Sequence, residues 1–515
     1  MSAAAGSGRP RFGLLAFLLL VDVTEASAAV VTSPAPRSVG VTVYRDPERE
    51  LGGSLKLGAL GGYALVTEAR VVDIPPGESE IRFEGVAGGI FPETAIITGL
   101  PDGILEKNRD AWLLSPGSLL DASLGKRVHL RRTSRETGRV RELDAVIRSS
   151  ADGAVVIETK SGIESLRCTG LPETMIYRSV PPGLSAKPTL SVRTRSRRAA
   201  RATVTLSYLA AEFDWQADYV AEIDPDEKRM NLFAWLTLAN GGETGFVQAD
   251  AQAVAGRVNR DSRAPQAAEA PPLRLQCWPA GTTTSGLREV QPVRTRLPPL
   301  RSGEEIVVTG SRVQRSAAYM VNSVVAVLED LGDLKLYRIP EPVTVAARSQ
   351  KQIALLRHGD IPIEIVYRAR FQDAPGTSVG ARRVIRTRNR PRENLGIPLP
   401  GGAVRVFERL GDRPLLIGEG RLGDRAVGED VEFETGQSTD LRTEIVEVSR
   451  TASLRTFRLI VANSKSNAVR FEADLQAAEA DVAASELVER DGRRIWAVTV
   501  PAHGRTEMLF RYPVR

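Results

Sequence analysis

Histidine and cysteine are nearly missing from this chain. Its 515 residues hold three histidines, His129, His358 and His503, too far apart in sequence for any two to have metal-ligand spacing. A zinc site needs Cys or His ligands in a cluster, so no metal is expected. The two cysteines, Cys168 and Cys277, allow one disulfide at most. In an exported chain they either pair, closing a loop of roughly 110 residues worth about 4–5 kcal/mol in the chain-entropy model, or stand as two buried thiols. Sustained heptads are absent, and only Leu475–Leu487 has a short helical pattern. Beyond the N-terminus no stretch approaches the about twenty apolar residues of a membrane span, which predicts a mature chain without a transmembrane helix.

Catalytic signatures are also lacking. Gly376–Gly380 reads GTSVG, the lettering of a nucleophile elbow. Pro375 precedes it, however, and a strand-like alternation follows where a helix should leave, so a hairpin loop is the better reading. Lys126 follows Gly125, but Leu120 and Arg127 occupy the positions where a phosphate-binding loop needs Gly and Ser or Thr. The glycines at 58, 61 and 62 open no helix, so a dinucleotide fingerprint fails and no cofactor is expected.

What the chain does have is alternation. In Ala202–Arg260, Val204, Leu206 and Tyr208 point one way while Thr203, Thr205 and Ser207 point the other. Leu232, Ala234, Leu236 and Leu238 repeat the pattern, which is that of antiparallel strands with one buried face. Trp215, Tyr219 and Trp235 are expected to be core aromatics that fix how two sheets pack. Gly and Pro punctuate short apolar runs throughout, so the fold class is mainly β: tandem antiparallel β-sandwiches with an inserted small SH3-like barrel.

The expected divisions are a signal peptide at 1–28, an N-terminal β domain at 29–200, a central β domain at 201–440 and a C-terminal immunoglobulin-like sandwich at 441–515. The signal reading rests on Arg9 and Arg11, the short apolar run Phe12–Val21 and Ala26-Ser27-Ala28 as a small-residue cleavage site. The small barrel is placed at about 110–166, between the near-copies Thr98–Pro101 and Thr169–Pro172 (both TGLP). The central domain carries a Pro-, Arg- and Ser-rich polar excursion at 261–315. Leu459–Asn463 (LIVAN) echoes Leu236–Asn240 (LTLAN), a hint that two sandwiches are alike.

The net charge of +6 gathers in two arginine runs, Arg193–Arg201 and Arg382–Arg392. Basic runs can bind phosphate or anionic lipid headgroups, but alternate arginines there read better as solvated strand faces. Neither run has interleaved aromatics, so no nucleic acid is expected as a partner.

FDWQADY at Phe213–Tyr219, LFAWLTLAN at Leu232–Asn240, LGDLKLYRIPEPVTV at Leu331–Val345 and LGIPLPGGAVRVFE at Leu395–Glu408 occur in order. On these motifs the chain resembles domain-of-unknown-function family 4139, a bacterial family found also in mucoidy-inhibitor-A-like proteins. GGYALVTEARVVDIP and EKNRDAWLLSP resemble the N-terminal half of a proteobacterial subgroup. The resemblance implies an exported, β-rich envelope protein, periplasmic in a Gram-negative bacterium. It supplies no settled activity and no catalytic residues, and the coiled-coil insert of the mucoidy-inhibitor-like members is lacking here. Within the excursion, Glu304–Arg312 (EEIVVTGSR) is similar to a short N-terminal segment of outer-membrane TonB-dependent receptors. Ile306, Val307, Val308, Thr309 and Gly310 form a candidate partner-binding strand that adds to the edge of another protein's sheet, TonB being one such envelope partner. The competing readings are a strand paired within its own domain, or a sticky strand shielded by flanking charge.

The function expected from all this is that of an exported non-catalytic cell-envelope scaffold or protein-interaction module. The alternative is a periplasmic hydrolase whose carboxylates assemble across domains, with Asp214, Asp218 and Glu222 as the residues to bear it. Spaced i, i+4 and i+8 they would share a helix face, but the aromatic alternation around them argues for a strand.

Overall fold

A computed structural model describes residues 28–110, 114, 116–133, 137–149, 155–166, 173–181, 184–256, 258, 325–370, 380–411, 413–474, 479–480, 487–490 and 493–513. The chain is mainly β, and its centre is one sandwich topology built twice. The first copy uses β1 (Ser38–Tyr44), β2 (Tyr63–Ile74), β3 (Ala200–Ala211), β4 (Phe213–Ile223), β5 (Arg229–Asn240), β6 (Phe246–Ala255), β7 (Val327–Leu331), β8 (Leu334–Arg338) and β9 (Ser349–Pro362). The second uses β10 (Glu364–Arg370), β11 (Arg382–Arg388), β12 (Asp430–Gln437), β13 (Leu441–Arg450), β14 (Leu454–Asn463), β15 (Val469–Asp474), β16 (Leu487–Arg490), β17 (Arg493–Val500) and β18 (Arg505–Pro513).

The strands correspond one to one. In the first copy one sheet runs β7-β8-β6-β1-β2-β3; in the second it runs β16-β17-β15-β10-β11-β12. The facing sheets contain β9-β5-β4 and β18-β14-β13. Every pairing is antiparallel in both copies except one, and that parallel contact recurs in place: β6 beside β1, β15 beside β10. The insertions also coincide. Between β2 and β3 lies most of an N-terminal module, a sheet in the order Ala29–Ser33, Gly77–Glu84, Thr189–Ser196, Glu106–Asp110 with a smaller unit inserted in it. Between β11 and β12, its counterpart, lies the hairpin Gly402–Leu410 and Arg413–Leu422. Only Ile363 separates β9 from β10, so one copy runs directly into the other.

The echo of LTLAN in LIVAN has an atomic reason. Asn240 ends β5 and Asn463 ends β14, both buried. Each Oδ1 accepts the N–H two residues on, from Gly242 at 3.0 Å and Lys465 at 2.9 Å. Each Nδ2 donates to the carbonyl four residues on, Thr244 and Asn467, both at 2.9 Å, and to a carbonyl before the last strand, Ala346 at 3.1 Å and Pro501 at 2.9 Å. The turns before β9 and β18 match as well. Arg348 and His503 both have φ of 47° and donate N–H to Gly242 and Lys465 at 3.1 Å. Asn463→Ala strips a partner from the Lys465 N–H and from the Asn467, Val500 and Pro501 carbonyls. A loss of about 1–3 kcal/mol is expected, read from the urea midpoint.

Burial follows the alternation. Val204, Leu206, Tyr208 and Ala210 on β3 and Leu232, Ala234, Leu236 and Leu238 on β5 are all buried. Trp215 and Tyr219 are fully buried, but Trp235 is 37% exposed. Trp235 has the opposite strand parity to its buried neighbours and stacks edge-on against Phe233 on the outer face, so it is not a core residue.

Other expected features are corrected. The inserted module is a five-stranded half-barrel in the order Gly162–Leu166, Val155–Thr159, Val140–Ser149, Arg127–Thr133, Glu173–Ile176, with no closing pair among the described residues. It has its own core of Val128, Leu130, Ile147 and Ile157, and its last strand lies beyond residue 166. The division at 200/201 falls inside β3, and 440/441 separates β12 from β13 within one sandwich, because the sheets recruit strands from both sides. The described parts of 475–487 are strands, not a helix. The signal segment through residue 27 and the excursion at 261–315 lie outside the described residues.

Candidate functional site

The second-copy sheet β12-β11-β10-β15-β17-β16 buries one face against apolar cores and bears charge on the other. Period-two alternation puts Glu432 and Glu434 of β12, Arg382 and Arg386 of β11, Arg368 and Arg370 of β10, and Glu472 and Asp474 of β15 on this second face. Cross-strand register completes the arrangement: Arg386 sits opposite Glu432 and Glu364, and Arg368 opposite Glu472.

At the centre, two carboxylates each meet three arginines. Arg386 donates Nε to Glu432 at 2.5 Å and a terminal nitrogen to both oxygens of Glu472 at 2.8 Å. Arg368 reaches Glu432 and Glu472 at 2.8 Å, and Arg490 reaches both at 3.1 Å. Burial opposes ionisation here, but hydrogen bonds and charge from Arg368 and Arg386 outweigh it and hold the Glu432 carboxyl down at about 2. Glu472 is held below its ordinary value in the same way. The Arg382–Arg392 run is therefore not simply a solvated face: Arg386 is buried.

Beside this network lies a cleft of about 550 Å³. Its far wall is the strand Arg413–Leu422 with Arg425 beyond it. Glycine brings that strand close: a Cβ on Gly420 would stand 2.3 Å from the Glu434 carbonyl oxygen, and one on Gly418 2.5 Å from that of Thr435. Six arginines and four acids line the space, a net charge of +2. Arg370 and Arg382 share one carboxylate, Glu434, at 3.1 and 3.2 Å. The chemistry on offer is multidentate hydrogen bonding to an anion. Sequence reading missed the site because its partners lie on strands as far apart as Arg368 and Glu472. The alternating Glu432/Glu434 and Glu472/Asp474 beside the arginine run were the available signal.

The sequence-predicted residues lie elsewhere. Asp214, Asp218 and Glu222 share one face of β4, which is a strand, so successive carboxylates stand about 13 Å apart along it. Each has its own structural partner. Asp214 takes Arg49 at 2.6 Å, Asp218 takes the Thr237 hydroxyl at 2.7 Å, and Glu222 takes Arg409 Nε at 2.7 Å. Tyr219 donates its hydroxyl to the Pro400 carbonyl at 2.7 Å, tying β4 to the PLPGG turn. His129 bridges Glu142 and Asp144 on the half-barrel, His358 lies on β9, and His503 serves the turn described above. Among the described residues, no group of three or more His, Cys, Asp or Glu is placed to hold a metal ion. Cys168, Cys277 and Ile306–Gly310 lie outside the described residues, as does GTSVG through position 379.

A second cavity, of about 660 Å³, lies between the N-terminal module and the start of β6. Glu68 stands behind it, fully buried. Burial raises its carboxyl against the opposing pull of Arg70, which donates to it at 2.7 Å, and Tyr208 donates to its other oxygen at 2.8 Å. Arg70 also donates to the carbonyls of Ser33 and Glu84, so this cluster stitches the module onto the first sandwich.

No protein-family model matches the chain. No curated protein matches it.

Proposed function

We propose that this chain is an exported, non-catalytic protein of the bacterial cell envelope, related to domain-of-unknown-function family 4139, that acts as a scaffold or protein-interaction module in the periplasm. The observation that carries this reading is the doubled sandwich with a one-residue junction and a cross-brace. The hairpin inserted into the second copy adds Gly402–Leu410 in parallel to β4 of the first, where a Cβ on Gly402 would stand 2.0 Å from the Ala217 carbonyl oxygen. Two units locked in this way hold their surfaces at fixed spacing, which suits the display of binding faces. The N-terminal leader pattern and the family motifs support the envelope reading. No helix among the described residues is long and apolar enough to cross a membrane.

The hydrolase reading has less support, since carboxylate pairs that cleave glycosidic bonds stand about 5–9.5 Å apart and those of β4 do not. Crosslinking with mass spectrometry on the tagged protein in intact cells is expected to recover envelope proteins. Deleting Glu304–Arg312 is expected to remove the subset captured through that strand, TonB included. Retention of the tagged chain in the cytoplasm would end the envelope reading, and an unchanged crosslink pattern would end the role of the strand.

A further inference from the structure

We propose that the arginine cleft between the hairpin and the second sandwich is a binding site for a polyvalent oxyanion, a phosphate- or polycarboxylate-bearing group. The central network is nearly self-satisfied, but its rim is not. The Nε of Arg425 is buried and has no hydrogen-bond partner among the described residues. Arg421, on the same wall, meets the exposed carboxylate of Glu50 at 3.3 Å and no other acid among the described residues. Arg370 and Arg382 divide Glu434 between them, so one carboxylate answers two guanidinium groups. Buried donors without partners are costly, and the ligand that removes the cost here must be an acceptor with several oxygens.

The volume of about 550 Å³ falls within the range of small-ligand sites. The walls are mostly polar; Val384, Phe433 and Ile495 are the apolar side chains lining the cleft, which leaves little to hold an acyl chain. The rigid supports are in place: the hairpin is held against β12 by Gly418 and Gly420, and the floor is clamped by Arg386. An oxyanion would therefore meet guanidinium groups already oriented, without reorganising the sheet.

The test is calorimetric titration of the full-length exported form with pyrophosphate, citrate and inorganic phosphate. Pyrophosphate or citrate is expected to bind one to one and more tightly than inorganic phosphate, with affinity falling as salt rises. Arg425→Gln is expected to weaken binding at least ten-fold and Arg421→Gln several-fold. Glu434→Gln, which frees Arg370 and Arg382, is expected to tighten it. Arg348→Gln, on a remote surface, leaves it unchanged. Circular dichroism checks the fold of each variant, and the opposite signs expected for Arg425→Gln and Glu434→Gln guard against a general loss of structure. Cosedimentation with phosphatidylglycerol vesicles separates the sources of the anion. Vesicle binding that Arg425→Gln abolishes places it on a lipid headgroup; pyrophosphate binding without vesicle binding places it on a soluble ligand. Absence of stoichiometric binding to every probe, or equal affinity of wild type and Arg425→Gln, overturns the proposal.

Discussion

Arg386→Met should cost about 3–5 kcal/mol, because it leaves Glu472 and Glu432 buried with one fewer counter-charge each. Arg386 is the most buried of the three arginines that reach both carboxylates, and Glu472 is only 2% exposed. The same network predicts how stability depends on pH. Glu432 has a folded-state pKa of about 2, well below its ordinary 4.5. A carboxyl depressed on folding contributes stability that is fully present above its unfolded value and is lost as pH falls through its folded value. For Glu432 alone this is on the order of 3 kcal/mol, and Glu472 acts in the same direction. Wild-type stability should therefore hold at neutral pH and decline between about pH 5 and pH 2. Arg386→Met should begin lower and decline less over that window. Urea midpoints at several pH values would show it; parallel curves for the two proteins would mean that the network is not the source of the acid sensitivity.

Trp215→Ala is expected to cost about 3–5 kcal/mol, as large aromatic truncations in a packed core do. Trp235→Ala is expected to cost less than about 1 kcal/mol. Trp215 is fully buried, donates its indole N–H to the Val254 carbonyl at 3.0 Å, and lies 6.0 Å from the Tyr337 ring, with the Arg45 guanidinium 5.6 Å from its own ring centroid. Its removal opens a void between the two sheets of the first sandwich and orphans that carbonyl. Trp235 loses only the contact with Phe233 and a partly solvated surface. Thermal unfolding of the two variants side by side is sufficient, and equal losses would contradict the assignment of the outer face.

These two tryptophans also show what was legible in the sequence. The alternation that marked Leu232, Ala234, Leu236 and Leu238 as one buried row already placed Trp235 on the opposite row; the aromatic side chain suggested core, and the parity was the better guide. Strands of ten or twelve residues, such as β3 and β5, were plain because their alternation is long. The duplicated sandwich was visible only as LTLAN and LIVAN, the segment where each asparagine must satisfy the same three backbone groups. Elsewhere each copy needs only apolar residues of suitable size, so the likeness is kept in the topology and lost from the letters. The arginine network was hidden for a different reason. Arg386, Glu432 and Glu472 meet through β-sheet register, and no local spacing records which distant strand will become a neighbour. The division at 440/441 failed on the same ground, since β10, β11 and β12 join their sandwich across an inserted hairpin.

The nesting of insertions sets an order of assembly. Gly40 on β1 lies opposite Asp250 on β6, so the first sandwich joins strands far apart in sequence, and its facing sheet lacks an edge strand until β9 is available. The half-barrel, by contrast, pairs strands that are close in sequence between Arg127 and Ile176. Topologies of such different contact order fold at very different rates. On a chain emerging N-terminus first, the half-barrel is the earliest unit that can complete, while the β1–β2 hairpin waits from Ile74 to Ala200 for its neighbour β3 and longer still for β6. Until those neighbours arrive, the edges of that hairpin are open to pairing with another chain.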